Sequence, residues 1–460
     1  MRSSAWEDLI MIKELSIFGF RGFGEKQTLQ FALPNGQVGS GLTIITGANN
    51  SGKTTIIESI RAFNGGSDSP SFSEGRRNKK ANERVELIIK DENGNESSIK
   101  TVPHGGSSTV KEGDIHSQYY VVQSRRAIPY EFSRLAWDKN IYMTNAQKLE
   151  NQRDSSLSNY QARLFQIERE KDKFDKILAQ VLGRNFDWTI EQRDSGNYYI
   201  KCRDQSVMHS SEGIGDGIWS IFTICAALFD AEDNSVIVID EPELSVHPAL
   251  QKKLLNLLLS YSDRMQIIIS THSPYFINWE AITAGAQLVR VVKEEADTKC
   301  YAITDTTRSA FKNLMKDVNN PHVLGIEANE ALFLEDNIIL VEGQEDVVIL
   351  NKICRELKLE LNGSFYGWGV GGAPKMEAFL VLFQELGYKH VVSILDGDKK
   401  DDAERLKDKF TQFKIIALIA DDIRDKHYRE IKEKNGITTE KGKIKPEFVG
   451  YAKKLISDIN

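Results

Sequence analysis

The sequence predicts an α/β protein with two successive domains: a larger one with a mixed, mostly parallel sheet and a helical insertion, then a smaller α/β domain. Three observations predict this fold class. Apolar, β-rich runs alternate with amphipathic helical segments, a pattern typical of parallel sheets. Several of these runs end in a glycine or in acidic residues. A stretch of low hydrophobicity around Lys312–Glu335 separates the regions, so the predicted domains are residues 1–335 and 336–460.

The composition, the net charge and the spacing of the cysteines limit the class of protein. Of the 460 residues, 40% are hydrophobic and 27% are charged, as in globular chains. The net charge of −7 excludes a uniformly basic nucleic-acid coat but leaves room for a local basic groove. No apolar run approaches the roughly 20 residues of a membrane-spanning helix, and acids lie where a signal peptide would be apolar. The four cysteines form no CxxC pair. We expect a cytoplasmic protein with reduced thiols and no membrane contact.

The first domain begins with β-type segments. Ile12–Phe31 alternates apolar and polar residues and predicts two short strands, and Leu42–Thr46 predicts a third. Ser67–Gly113 is polar and predicts loops around one strand, VELIIK. Residues 131–182 have apolar residues at helical spacing and predict an inserted arm or lid, with Gly183 as the helix cap.

The remaining elements alternate strand and helix. In the first domain we expect the strand Val236–Ile239, the helix Leu250–Tyr261 and the strand Ile267–Ser270. In the second domain we expect the strand Ile338–Val341, the helix Asp346–Leu357 and the strands Val391–Leu395 and Ile415–Ile419.

A phosphate-binding motif follows the third strand. GANNSGKTT, residues 47–55, fits G-x-x-x-x-G-K-[ST] between a predicted strand and a predicted helix. Backbone amides of such a loop surround a phosphate, Lys53 would neutralise the β and γ oxygens, and the Thr54 hydroxyl would bind Mg²⁺. The motif predicts an ATP–Mg²⁺ site, the alternative being an accidental glycine-rich turn. The predicted nucleotide contacts are Gly47, Asn49, Asn50, Ser51, Gly52, Lys53, Thr54 and Thr55.

Two acids and a histidine extend this prediction. The strand Val236–Ile239 ends in Asp240, which would hold Mg²⁺ through water, and Glu241, which would orient or deprotonate the attacking water. Another strand ends in His272. We therefore predict Lys53, Glu241 and His272 as catalytic residues. The alternatives are a solvated acidic turn and a structural histidine.

The order of the motifs resembles a known ATPase head. FGFRGF (18–23), GANNSGKTT (47–55), SSEG (210–213), IDEPELSVHP (239–248) and STHSP (270–274) resemble the heads of structural-maintenance, RecF-like and OLD-family (overcoming lysogenization defect) proteins, which are of the ATP-binding-cassette type. The resemblance covers residues 11–330. It implies ATP between two subunits, with Ser211 and Gly213 contacting the γ-phosphate at Lys53 of the partner subunit. It also implies an inter-subunit loop with Ser245 and His247, and Gln123 as a lid-loop glutamine.

A second acidic centre lies in the smaller domain. One strand ends in Glu342, with Asp346 four residues later, and another ends in Asp396-x-Asp398. Carboxylates that follow parallel strands meet at one sheet edge. Oxygen ligands suit Mg²⁺ or Mn²⁺, and two such ions can clamp a phosphodiester. We predict these four acids as metal ligands, the alternative being acidic strand ends without metal.

This pattern of Glu and Asp-x-Asp, with glycines between, resembles a TOPRIM domain, and a head followed by TOPRIM is the OLD-family arrangement. The sequence departs from that family at Asp421–Arg424, where a further motif commonly ends in Glu. One lysine of the tail would face the scissile phosphate, or the tail is a solvated surface. The lysines concerned are Lys432, Lys434, Lys441, Lys443, Lys445, Lys453 and Lys454.

The resemblance implies an ATP-regulated, metal-dependent DNA endonuclease of bacterial anti-phage defence. Its expected partners are DNA and further copies of the chain, as a homodimer or higher homo-oligomer through the heads. The alternative is an ATPase sensor or scaffold with a degenerate TOPRIM domain, which holds and releases a separate effector protein. Arg424 favours the alternative, and Glu342, Asp396 and Asp398 oppose it. A plain DNA-repair ATPase would leave the second acidic centre without a role.

Overall fold

The computed structural model describes residues 10–65, 69–102, 106–113, 115, 119–124, 133–149, 160–204, 207–210, 214–316, 323–334, 337–426 and 434–460. The chain divides into two units, Met1–Ala302 (unit 1) and Ile303–Asn460 (unit 2). Each unit has its own sheets and its own hydrophobic core.

The described part of unit 1 contains three sheets and several helices. The strands are β1 (Ile12–Phe18), β2 (Gln27–Gln30), β3 (Leu42–Thr46), β4 (Glu86–Asp91), β5 (Glu96–Thr101), β6 (Thr109–Glu112), β7 (Tyr119–Val122), β8 (Asp187–Gln192), β9 (Tyr198–Asp204), β10 (Val207–Ser210), β11 (Val236–Asp240), β12 (Gln266–Ser270), β13 (Gln287–Glu294) and β14 (Asp297–Ala302). The helices are α1 (Lys53–Arg61), α2 (Lys139–Ala146), α3 (Gln161–Arg169), α4 (Lys171–Leu182), α5 (Asp216–Asp230), α6 (Pro248–Tyr261) and α7 (Trp279–Ala284).

A six-stranded sheet positions the residues of the phosphate motif. Its order is β14-β13-β3-β12-β11-β7, and the strands from β13 to β7 run parallel. Only β14 is antiparallel to its neighbour. β3, β11 and β12 are buried along their whole length, which explains why their sequences are continuous apolar runs. The predicted strands here are confirmed to within one residue, and their C-terminal ends lie along one edge.

A second, antiparallel sheet has the order β2-β1-β4-β5-β6. It shares one core with α1 and the parallel sheet, to which Ile17, Ile57 and Val238 contribute. The buried Gln266 amide accepts a hydrogen bond from the Ile12 amide at 2.9 Å and donates to the Ile12 carbonyl at 2.6 Å. The two sheets are therefore joined by hydrogen bonds as well as by apolar contacts.

The described helices of the predicted insertion are packed into unit 1. α4 packs against α5 and α6. The Phe174 ring lies 4.6 Å from the Phe222 ring and 5.9 Å from the Trp188 ring, measured between centroids. Gly183 ends α4 at a φ of 72°, as predicted, and its amide donates to the Ala179 carbonyl. This part of the insertion therefore contributes to the core and does not project as an arm. The sheet β10-β9-β8 that follows is an element that the sequence reasoning missed.

Unit 2 is a smaller α/β fold. Its described strands are β15 (Ile338–Val341), β16 (Ser364–Phe365), β17 (Val391–Leu395), β18 (Lys414–Ala417), β19 (Asp422–Arg424) and β20 (Gly436–Thr438). Its described helices are α8 (Asp305–Leu314), α9 (Ile326–Glu330), α10 (Gln344–Leu357), α11 (Ala373–Glu385), α12 (Lys400–Lys409) and α13 (Val449–Ile459). The sheet β16-β15-β17-β18 is wholly parallel, and β19 pairs in parallel with β20.

The boundary between the units lies earlier than predicted, because Ile303 and not residue 336 begins unit 2. The fully buried Phe311 of α8 packs on Phe379 of α11, with 5.2 Å between ring centroids. The Thr304 amide donates to the Glu385 carboxylate at 2.7 Å. The polar composition of the segment after α8 suggested a domain boundary there. α8 itself packs one apolar face, with Phe311, against α11 within unit 2.

The four cysteines are free thiols; Cys202, Cys225 and Cys354 are buried and Cys300 is partly buried. Burial raises the pKa of each thiol. No helix in the described parts of the chain has the length and apolarity needed to span a bilayer.

Candidate functional site

The phosphate motif forms a loop between β3 and α1. Gly47 has a φ of 143°, and a Cβ there would lie 2.1 Å from the Val291 carbonyl oxygen, so only glycine fits. The buried Lys53 side chain donates from Nζ to the carbonyl oxygens of Gly47 and Ala48, each at 2.9 Å. The lysine is therefore held across the mouth of its own loop, where an anion would compete with these carbonyls for the ammonium group.

The other residues of the loop differ in exposure. Asn49 and Asn50 are exposed, whereas Ser51 and Thr55 are buried. Gly52 has a φ of 120° and precedes the first residue of α1. The Ser51 hydroxyl is buried without a hydrogen-bond partner among the described residues. A buried, unsatisfied hydroxyl beside a helix N-terminus is an observation that favours an anion in this loop.

Thr54 and Asp240 come together as predicted from the two motifs. The Thr54 hydroxyl lies 3.2 Å from one Asp240 carboxylate oxygen, and the Ser270 hydroxyl donates to the other. Asp240 is the last residue of β11 and is buried. The pair of Thr54 and Asp240 thus presents hydroxyl and carboxylate oxygens, which suit Mg²⁺.

Glu241 and His272 face each other at the same sheet edge. Their Oε1 and Nε2 atoms are 3.9 Å apart, and both side chains are about one-third exposed. The Glu241 backbone has a φ of 50° and donates to the Ser270 carbonyl at 2.9 Å. Burial, and then the Lys53 charge, lower the pKa of His272 against the opposing effect of Asp240. The neutral imidazole is therefore favoured near pH 7.

Glu243 is a residue of this site that the sequence reasoning missed. Its carboxylate accepts from the Thr271 hydroxyl at 2.8 Å and from the His272 amide at 2.6 Å. Burial raises the pKa of Glu243 and outweighs the opposing hydrogen bonds, and the Glu241 charge adds a smaller contribution in the same direction. A signal for it was present, since Glu243 lies two residues after Glu241 in IDEPE.

Gln123 follows β7, the neighbour of β11 in the sheet. Val122 pairs in register with Ile239, so Gln123 emerges at the same edge as Asp240. In the orientation that satisfies its hydrogen bonds, the amide oxygen of Gln123 accepts from the Arg61 guanidinium, whose Nη2 is 3.2 Å away. The edge is the one expected of a lid-loop glutamine, and the predicted role stays a prediction.

The residues assigned to the subunit interface are only partly described. Ser211 and Gly213 lie outside the described residues. Ser245 is exposed with a φ of 63°. His247 is exposed, and its Nδ1 accepts from the Ala249 amide at 3.2 Å, so it caps α6.

The acids of unit 2 meet at the C-terminal edge of β15 and β17. The Glu342 carboxylate accepts from the Asp396 amide at 2.9 Å and from the Ala373 amide at 3.2 Å. Asp346 caps α10 by accepting from the Gly343 amide at 2.8 Å. Glu342 and Asp396 are thus in contact at the ends of neighbouring strands, and the role of these acids as metal ligands stays a prediction.

A lysine and a further aspartate complete this cluster. Lys434 Nζ lies 2.7 Å from Asp398, 4.0 Å from Asp396 and 3.7 Å from Asp422. Asp422 is fully buried and also accepts from Lys426 at 2.6 Å. Sequence reasoning missed Asp422 and could not select Lys434 from the lysines of the tail, because both approach the acids only through the fold.

The charge balance of the cluster bears on a metal ion. Burial, with the neighbouring carboxylates, raises the pKa of Asp346 to about 7 and that of Asp396 to about 8. Burial lowers the pKa of Lys434, but its bond to Asp398 and the other acids raise it overall. Within the described residues no three His, Cys, Asp or Glu side chains already surround a point that would hold an ion. The donors are nevertheless all oxygen, the ligand type that suits Mg²⁺ or Mn²⁺.

Arg424 stands where the TOPRIM pattern commonly has a glutamate. Its guanidinium donates to Glu345 at 2.6 Å, and Lys426 lies 3.3 Å from the same carboxylate. Arg424 therefore belongs to an ion-pair network between β19 and the start of α10, and Asp422 is the acid that this strand contributes to the cluster.

Comparison with known proteins identifies both parts of the chain. Residues 42–278 match the family described as "AAA domain, putative AbiEii toxin, Type IV TA system". Residues 333–398 match "Overcoming lysogenization defect protein-like, TOPRIM domain". The second match, to the TOPRIM domain, begins after α8 and α9 and ends before Asp422 and Lys434.

Curated relatives include an OLD nuclease of Thermus scotoductus, 28% identical over 172 residues, which are 35% of this chain and 31% of that protein. Endonuclease GajA of Bacillus cereus is 30% identical over 207 residues, 44% of this chain and 33% of that protein. The aligned segments span about a third of the length of these relatives. A crystal structure of an SmcHead bound to the C-winged helix domain of ScpA aligns with a TM-score of 0.44 and 16% identity, covering 64% of this chain and 98% of that one.

The two family matches confirm the predicted resemblance, an ATPase domain followed by a TOPRIM domain, and with it the predicted fold class. The first match covers more than half of the 460 residues. The chain therefore belongs to the family of the AAA domain described above and carries an OLD-like TOPRIM domain behind it.

Proposed function

We propose that unit 1 binds and hydrolyses ATP and that unit 2 is a divalent-metal-dependent DNA endonuclease whose cutting ATP regulates. The observation that carries the nuclease proposal is the convergence of Glu342, Asp396, Asp398 and Lys434 at one sheet edge. Carboxylates and a lysine in one place provide ligands for a cation and a positive group for a phosphodiester. The nuclease names of the two relatives support the same assignment.

The proposed roles in ATP hydrolysis follow from the contacts in unit 1. Lys53 leaves the Gly47 and Ala48 carbonyls to neutralise the β and γ oxygens of ATP. Thr54 and Asp240 hold Mg²⁺, directly and through water. Glu241 accepts the proton of the attacking water, and neutral His272 orients that water or the γ-phosphate. The loop residues around Lys53 surround the phosphates with their amides.

The nucleotide site is proposed to need a second copy of the chain. Ser211 and Gly213 would complete the site from the partner subunit, and the exposed Ser245 and His247 would lie in the interface. Gln123 would approach the metal from the edge it shares with Asp240. A homodimer is the smallest assembly that satisfies this arrangement.

In unit 2 the proposed metal ligands are Glu342, Asp346, Asp396 and Asp398, with Asp422 beside them. Bound Mg²⁺ or Mn²⁺ would supply Lewis-acid stabilisation of the phosphodiester oxygens. Lys434 would exchange its contact with Asp398 for a phosphate oxygen of DNA. The proposed setting is a cytoplasmic anti-phage defence system.

A second candidate function rests on the same lysine. Lys434 and Lys426 already compensate Asp398 and Asp422. Such internal pairing favours a sensor or scaffold with a degenerate TOPRIM domain, which holds and releases a separate effector protein.

The deciding experiment incubates the purified protein with supercoiled plasmid and Mg²⁺ or Mn²⁺, with and without ATP. Nicked or linear DNA in a metal-dependent reaction supports the nuclease. Intact plasmid under every condition, alongside measurable ATP hydrolysis, favours the scaffold.

A further inference from the structure

We propose that Glu243 is a positioning residue for ATP hydrolysis: it ties the exposed loop 244–247 to the turn that carries His272. The inference rests on the proposed ATPase function of unit 1. Glu243 itself contacts no reacting group in this role. It acts through His272, whose backbone it holds.

The two oxygens of Glu243 bind consecutive residues of the turn after β12. One accepts from the Thr271 hydroxyl and the other from the His272 amide. The Thr271 hydroxyl accepts in turn from the Ser273 amide at 3.0 Å. The Glu243 carboxylate thus fixes the backbone that carries the His272 imidazole.

A second contact runs parallel to the first. The buried Gln251 of α6 donates to the Val246 carbonyl at 2.7 Å and accepts from the Ser273 hydroxyl at 2.6 Å. Val246 is buried, whereas the residues around it in the loop are exposed. The loop and the turn are therefore held together at both ends.

The loop that Glu243 ties to the turn is largely exposed. Leu244, for example, is 44% exposed. The Leu244 amide donates to the Glu241 carbonyl and the Val246 amide to the Glu243 carbonyl. The loop backbone is thus hydrogen-bonded to both glutamates and, through the Glu243 side chain, to the His272 turn.

The test compares Glu243→Ala, Glu243→Asp and Glu243→Gln, with Glu280→Ala as a control at an exposed glutamate of the same unit. Glutamine retains an oxygen for the His272 amide and a nitrogen for the Thr271 hydroxyl, so near-normal turnover is expected. Alanine lacks these contacts and aspartate is one methylene too short. Both are expected to lower kcat roughly 10–100-fold, as for misplaced catalytic groups, while KM for ATP changes less than about twofold.

Hydrogen exchange of the segment 270–274 gives a readout that does not depend on activity. Exchange at the His272 amide should be faster in Glu243→Ala and unchanged in Glu243→Gln. Thr271→Val should add little to Glu243→Ala in kcat, because Glu243→Ala has already removed the contact between Thr271 and Glu243.

Each other outcome overturns the inference. If glutamine inactivates as strongly as alanine, the charge of Glu243 matters and the residue is catalytic. If alanine lowers nucleotide affinity and melting temperature together with kcat, the role is merely structural. If exchange at His272 is unaltered in alanine, Glu243 does not hold the turn. If the wild-type protein hydrolyses no ATP, the proposed ATPase function is wrong. The tie between Glu243 and His272 is tested separately, because unaltered hydrogen exchange in Glu243→Ala contradicts that tie alone.

Discussion

The acidic sites of the two units are built alike and neutralised differently. In both, carboxylates follow buried parallel strands, at Asp240 in unit 1 and at Glu342 and Asp396 in unit 2. In unit 1 the lysine of the loop donates to backbone carbonyls. In unit 2 Lys434 donates to the carboxylates themselves.

The placement of the lysine indicates what each site is prepared to receive. The two carbonyls that accept from Lys53 carry no net charge, so an exchange of these contacts for a phosphate would add a Coulomb attraction. In unit 2 the Lys434 ammonium is paired with acids. A metal ion would have to displace it, so binding of the first cation would break an ion pair. DNA bound as proposed would offer Lys434 a phosphate instead, so we predict that metal and DNA assist each other's binding in unit 2.

The largest expected effect is a loss of DNA cutting in unit 2 without a loss of ATP hydrolysis in unit 1. Replacing Asp396 and Asp398 with alanine should reduce plasmid cutting to background, because the metal ligands and their several kcal/mol of charge stabilisation are lost. ATP hydrolysis, measured as phosphate release, should stay near the wild-type rate. Alanines at the exposed Asp401 and Asp408 of α12 are the matched control. Cutting that persists in the double variant would place the nuclease elsewhere.

Glu241→Gln should stop turnover while ATP stays bound, since an amide does not accept the proton of the attacking water. The expected loss in kcat is about 10²–10⁴-fold. Phosphate release measures it, and size-exclusion chromatography with ATP should reveal the trapped assembly. Glu280→Gln is the control. Hydrolysis at the wild-type rate would assign the base to another residue.

Lys53→Ala should weaken ATP binding by roughly 100-fold, because a charged hydrogen-bond donor at the phosphates contributes about 1.5–3 kcal/mol. Equilibrium titration with a fluorescent ATP analogue measures this loss. Alanine at the exposed Lys26 should bind like wild type. Unchanged affinity in Lys53→Ala would remove the nucleotide assignment from the loop.

The smallest expected effect tests whether Lys434 competes with a metal ion for the acids of unit 2. Lys434→Gln should tighten Mn²⁺ binding in the absence of DNA about fivefold, near 1 kcal/mol, because a partly exposed ion pair no longer competes. Calorimetric titration measures the affinity, and Lys445→Gln, which affects a separate pair with Asp425, is the control. Weaker Mn²⁺ binding would show that Lys434 supports the ion and does not occupy its place.

What the sequence could predict depended on distance along the chain. The loop from Gly47 to Thr54 and the acids after β11, β15 and β17 are local patterns, each readable from a strand and its next residues. Lys434 reaches Asp398 and Asp422 only through the fold around the β19–β20 pair, which no hydrophobic periodicity in the sequence predicted. Glu243 is similar, since its partners Thr271 and His272 are far along the chain. α8 was misassigned because its polar average concealed the single apolar face that carries Phe311.

The backbone of Glu241 carries a further consequence. Its left-handed conformation, at a φ of 50°, costs about 1 kcal/mol for any residue with a Cβ and nothing for glycine. Glycine here would relieve this steric cost, but its greater conformational freedom in the unfolded chain would offset much of the gain. The side chain proposed to accept the proton therefore stands on a strained stretch of backbone, at the end of a strand that is otherwise regular. Backbone strain of this kind is typical of functional sites.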